Sequence, residues 1–180
     1  QDPTDTVGTP GYTVTFSSSS VDNDGQVLTA TLQVCPNPSG AAGCASYDLL
    51  AGSSTVTFPD YGTYTLNFSV TDNDGATGTL TPAPTIKINR PPTAVIANAG
   101  SLTVPVNVNL TLDGRPSSDP DGTISQYLWA FDSGPVALAP GSGSQFTQKF
   151  TVAGTYVVRL IVFDDSGVSA ETTANIVVTP

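Results

Sequence analysis

Residues 117–131, SSDPDGTISQYLWAF, and residues 154–167, GTYVVRLIVFDDSG, decide how the chain is read. Each sets an acidic, glycine-bearing turn against a strand whose apolar residues alternate. Period two places Tyr127, Trp129 and Phe131 on one face, and Tyr156, Val158, Leu160 and Val162 on another. Working outward, both stretches have an earlier copy. Val21-Asp-Asn-Asp-Gly25 leads into VLTATLQV, and residues 62–75, GTYTLNFSVTDNDG, align with residues 154–167 without a gap. Gly62 falls on Gly154, Tyr64 on Tyr156, Asp72 on Asp164 and Gly75 on Gly167. A β-rich unit is therefore written twice, and half of 180 residues suits one β-sandwich.

Composition agrees. Hydrophobic residues make up 38% and charged residues only 11%, and no helical stripe of useful length is present. The net charge of −10, with five basic residues, argues against nucleic acid or an anionic membrane as partner. No apolar run reaches the length of a membrane span. The chain carries neither a leader nor an initiator Met, which suggests a mature form or an excised fragment. Cys35 and Cys44 bracket a Pro-, Gly- and Ser-rich loop, and without His or further Cys they cannot complete a soft zinc site. A reduced pair is the alternative to a disulfide. The secreted-looking composition favours the bridge, which would contribute at most about 3 kcal/mol over so short a loop.

In chain order, strands are expected around Tyr12–Phe16, Val27–Val34, Ser54–Phe58, Tyr64–Val70, Thr77–Leu80 and Ile86–Ile88. Asn89-Arg90-Pro91-Pro92 is a stiff joint between a first unit at 1–89 and a second at 90–180. In the second unit, Ala94–Ile96 is expected to pair at the sandwich edge. Val104 to Leu112 reads as one alternating strand, with Pro105 marking an edge or bulge. Residues 134–143 read as a loop, and strands follow at 146–150, 156–162 and 174–178. The opening QDPTDTVGTPG, with Val7 its only large apolar residue, is too polar to match the second unit's opening segment. An incomplete first strand, an open edge and an apolar groove near Tyr12 and Val14 are expected there.

Catalysis is not expected. There is no His and no Gly-x-Ser-x-Gly elbow, and the carboxylates sit in polar turns where nothing raises a pKa for acid duty. The same turns suit calcium. Asp22/Asp24 and Asp119/Asp121 stand two residues apart beside a Gly, and the strand after the Gly-Thr-Tyr entrance should bring Asp72 or Asp164 close. Two carboxylates ~5 Å apart repel by roughly 3 kcal/mol at an effective dielectric near 20, a strain that a hard cation would offset. The competing reading is that Asp, Asn and Gly are merely good turn formers.

Asn89-Arg-Pro-Pro-Thr-Ala94, Leu112-Asp-Gly114, Ser118-Asp-Pro-Asp-Gly122, Tyr127-Leu-Trp129-Ala-Phe131, Gly154-Thr-Tyr156 and Val162-Phe-Asp164 together resemble a PKD domain, an immunoglobulin-like sandwich of secreted and cell-surface proteins. Arg115 and Asp132-Ser-Gly134 depart from the family pattern. The first unit resembles it more loosely: Leu32 stands in the place of Trp129. Gly25 to Gly62 also spans 37 positions against 32 from Gly122 to Gly154, and the cysteine loop takes up the difference of five. The resemblance implies an all-β chain of two tandem immunoglobulin-like, PKD-type Greek-key β-sandwiches, with Tyr64 and Tyr156 as tyrosine corners and Trp129 in the core. Some family members bind calcium, which implies Asn89, Asp119, Asp121 and Asp164 as ligands, with Asp165 as a spare; the first unit offers Asp22, Asp24 and Asp72 but no matching Asn.

The expected role is a non-catalytic extracellular or cell-surface module, a rigid spacer or adhesion unit stiffened by calcium, facing a protein or polysaccharide surface. Two alternatives stand beside it. One is a polysaccharide- or collagen-binding accessory module of a secreted hydrolase, with Tyr47 and Tyr61 as its aromatic platform. The other is a filament subunit joined to other copies by strand complementation.

Overall fold

The computed structural model describes residues 10–37 and 43–180. Every regular element among them is a β-strand, and the chain divides after Arg90 into two compact units. The expectation resting on Val7 and the opening segment lies outside the described residues.

In the first unit, the alternating runs become β1 (Tyr12–Ser17), β2 (Val27–Asn37), β3 (Ala45–Asp48), β4 (Ser53–Phe58), β5 (Gly62–Asp72), β6 (Thr77–Thr79) and β7 (Thr85–Ile88). One sheet is β1 against β4; the other runs β3-β2-β5, with β6 and β7 sharing the far edge of β5. That edge breaks at residues 81–84, where two prolines remove ladder donors. Between the sheets lie Leu32, Val34, Val56, Phe58, Leu66 and Ile88, all buried. Each such side chain stabilises the fold by about 1.5–3 kcal/mol. Cys35 at the end of β2 is bridged to Cys44.

The second unit comprises β8 (Leu102–Pro105), β9 (Asn109–Asp113), β10 (Ile124–Ser133), β11 (Gly141–Ser142), β12 (Gln145–Lys149), β13 (Gly154–Asp164) and β14 (Ser169–Thr179). A five-stranded sheet, β11-β10-β13-β14-β8, covers the pair β12-β9. Trp129 is the core's largest side chain, 1% exposed, and its indole N–H donates to Gly143 O at 2.9 Å. Both tyrosine corners form. Tyr64 Oη donates to Asp60 O at 3.0 Å, and Tyr156 Oη to Val152 O at 2.9 Å.

Three strand expectations are corrected. The run from Val104 to Leu112 is two strands: β8 pairs parallel with β14, and β9 crosses to the other sheet against β12. The chain turns between them at Asn107, whose φ of 64° lies in the left-handed region that Asn tolerates, and Val108 is left exposed. Ala94–Ile96 forms no strand. Thr93 makes a lone bridge to Ser118, and the sandwich edge belongs to β8. The 134–143 loop contributes β11, a short partner for Trp129 and Leu128.

The first unit has no counterpart of β8 among the described residues, so only one edge of β7 is paired there. An apolar groove of about 330 Å³ does open, lined by Phe16, Leu66, Phe68, Leu80 and Pro84; Tyr12 and Val14 lie outside its lining.

Candidate functional site

The two acidic aspartates that end β5 and β13 are turn anchors first. Asp72 Oδ1 accepts from the N–H groups of Asp74 and Ala76 at 2.9 and 2.8 Å. Asp164 Oδ1 does the same for Ser166 and Val168, at 2.9 and 2.8 Å. A carboxylate bridging two N–H groups of a tight hairpin satisfies donors that strand pairing cannot reach. Asp164 is 1% exposed, the one charged residue that is buried among the described residues.

The earlier turn of each unit folds against this hairpin. Asp22 Oδ1 accepts from Asp24 N at 3.3 Å, and Asp119 Oδ1 from Asp121 N at 3.4 Å. The contacts that follow were not expected in full. In the second unit Asp119 Oδ2 and Asp165 Oδ1 both crowd the position that a Cβ on Gly122 would take; in the first, Asp22 Oδ2 and Asn73 Oδ1 crowd Gly25 in the same way. The Asn73 side chain also accepts from Gln26 N at 2.8 Å, locking the two turns together. Asp165, named only as a spare, thus meets Asp119 over Gly122. Its signal in the sequence was position: Asn73 and Asp165 each follow the aligned anchors Asp72 and Asp164.

Burial, together with the charges of Asp121, Asp164 and Asp165, raises the pKa of Asp119 above the ordinary carboxylate value. In the first unit a hydrogen bond with Asp22 and the Asp22 charge raise that of Asp24. Asn89 lies in the first unit, buried, its amide donating to Arg90 O at 3.3 Å.

Asp119 Oδ2 is a buried oxygen with no hydrogen-bond partner, the kind of atom a hard cation satisfies. Asp165 Oδ1 stands beside it. Among the described residues, however, no three His, Cys, Asp or Glu side chains are grouped as a ready metal cage. The second-unit turns offer two converging carboxylates, and backbone carbonyls or water would complete the shell.

The departures from the family pattern are accounted for locally. Arg115 forks onto Asp113 at 2.7–3.1 Å and holds its carboxyl below the usual range. Asp132 pairs with Arg159 at 3.0 Å. Tyr47 and Tyr61 line one cavity of about 490 Å³ at the disulfide end of the first unit.

The sequence that builds this repeated frame matches a known domain family. The PKD domain family matches residues 89–179, and again residues 1–84. The chain belongs to the PKD domain family. Among its relatives, the dyslexia-associated protein KIAA0319 homolog of Rattus norvegicus is 35% identical over 134 residues, which are 71% of this chain and 12% of that protein. Collagenase ColA of Clostridium perfringens is 34% identical over 82 residues, 46% of this chain and 7% of the enzyme. This PKD pair therefore spans a small fraction of either relative. Among solved structures, the PKD1 domain of Vibrio anguillarum Epp is 28% identical with a TM-score of 0.41, covering 51% of this chain and 96% of that one.

Proposed function

We propose that this PKD pair is a non-catalytic extracellular module, a stiff spacer that presents an adhesive surface to protein or polysaccharide. One observation carries the reading. The buried carboxylate that could have served chemistry, Asp164, is spent on holding a hairpin, as Asp72 is in the first unit. The family relation supports the same setting, since PKD domains are non-catalytic modules. Pro91 and Pro92 fix the backbone locally at the joint, which supports a spacer. Calcium would stiffen the second unit where Asp119 and Asp165 meet, neutralising charges that otherwise repel.

Small-angle scattering of the whole chain tests the spacer. The expected result is one extended form, unchanged by dilution and tightened by Ca²⁺. A broad distribution of compact and extended forms in both conditions would overturn it.

A further inference from the structure

The cavity at the disulfide end of the first unit has no equivalent role in the fold. Its floor is Phe58 and Tyr64, packed edge to face with centroids 5.0 Å apart. Tyr47 and Tyr61 stand in its walls, with Asn37 and Asp60 as polar neighbours. In the second unit the corresponding place is filled. Gly134 lies so close on the Tyr156 ring that a Cβ would overlap it, and Pro135 covers Gly154. Among the described residues, nothing lies within 4 Å of the Cβ position of Gly62, the residue aligned with Gly154. Among the described residues, the first unit thus leaves open a space that its repeat has plugged.

The walls are held in place. Tyr47 is fixed on β3 opposite Leu32, and Cys44 of the disulfide lines the same cavity. Tyr61 is 38% exposed, with the Arg90 guanidinium 5.2 Å from its ring centroid. Arg90 does not line the cavity, so it steadies the ring without taking up the space. The Tyr64 hydroxyl is already engaged by Asp60 O.

We infer that this cavity binds a pyranose unit of a neutral polysaccharide. Fixed aromatic faces suit the C–H faces of a sugar ring, and the Asn37 amide and the Asp60 carboxylate suit its hydroxyls. The volume lies in the range of small-ligand sites. Asp60 in the wall and a net charge of −10 disfavour uronic or sulfated glycans. The site is the adhesive surface of the proposed module and rests on that reading for its extracellular setting.

The test is retention of the whole chain on insoluble cellulose, chitin and fibrillar collagen, in Ca²⁺ and in EDTA, with Tyr61→Ala and Tyr47→Ala beside the wild type. Binding to one of the polysaccharides is expected, insensitive to EDTA. Tyr61→Ala should weaken it about tenfold, equivalent to ~1.4 kcal/mol, without a change in melting. Should Tyr47→Ala fail to fold, the exposed Tyr61 still decides. Absence of retention on both polysaccharides, retention on collagen alone, or equal retention of wild type and Tyr61→Ala overturns the assignment. Binding lost in EDTA but kept by Tyr61→Ala also overturns it, and points to the acidic turns. The spacer reading stands or falls separately, on scattering.

Discussion

Asp119 Oδ2 and Asp165 Oδ1 approach each other across Gly122, at a place where any Cβ would collide with both oxygens. The crowding involves the free ends of two short side chains rather than backbone. An added methyl would therefore push the carboxylates apart before it disturbed the turn. Calcium should raise the melting temperature of the wild type by mass action on the folded state. Gly122→Ala should remove most of that gain while leaving melting in EDTA nearly unchanged. Equal responses to calcium in wild type and Gly122→Ala would show that the cation, if bound, does not sit between these two residues.

The same cluster sets a pH dependence. Burial and three neighbouring charges raise the Asp119 pKa in the folded chain, so over the window from the ordinary value near 4 up to the raised one the folded state holds the extra proton. Stability must then fall as pH rises through that window, and the loss is complete above it. Asp119→Asn removes the penalty. In EDTA the variant should melt higher than wild type at neutral pH and match it under acid conditions. Asp113 acts in the opposite sense: Arg115 lowers its pKa, and its stabilising part is lost as pH falls through the depressed value. Chemical melts from acid to neutral pH, with Asp119→Asn as reference, check the sign. A wild type that gains stability relative to Asp119→Asn on going to neutral pH would reverse the argument.

Reduction should act on the first unit alone. The Cys35–Cys44 bridge closes a loop with a sequence separation of 9, worth at most about 3 kcal/mol by loop-closure entropy. Intact mass before and after reduction with alkylation confirms the bond. The expected consequence is a lower first-unit transition with the second untouched. Two free thiols in protein isolated without reductant would contradict the bridge.

The frame was legible because it rests on local rules repeated twice. Alternation at period two located β5, β10 and β13, and the aligned Gly-Thr-Tyr entrances located the tyrosine corners. Strand β8 was hidden by the same alternation: Val104 and Leu112 keep one parity, and only the left-handed Asn107 tells the chain to change sheets. The acidic turns were found, but the roles within them were shared out differently. Sequence spacing brings Asp119 to Asp121, whereas the approach of Asp165 depends on how two hairpins meet in space. Tyr47 and Tyr61 were read as one aromatic platform, but the cavity between them was not, because what distinguishes the units there is the packing of Gly134 and Pro135 in one of them.

The tyrosine corners allow the two units to be melted separately. Tyr64 and Tyr156 make the same bond, to Asp60 O at 3.0 Å and to Val152 O at 2.9 Å. The acceptors belong to exposed residues, so a lost hydroxyl leaves each carbonyl within reach of water, and either Tyr→Phe change should cost about 1 kcal/mol. For a unit of this size that is a shift of roughly 4–8 °C. The sequence contains one Trp, Trp129, and it is buried in the second unit. Its fluorescence therefore follows that unit only, whereas calorimetry sees both. Tyr156→Phe should lower the fluorescence transition. Tyr64→Phe should leave it in place and shift a separate calorimetric peak. If Tyr64→Phe moved the Trp129 transition as far as Tyr156→Phe does, the two sandwiches would unfold as one cooperative body, and independence of the units would have to be given up.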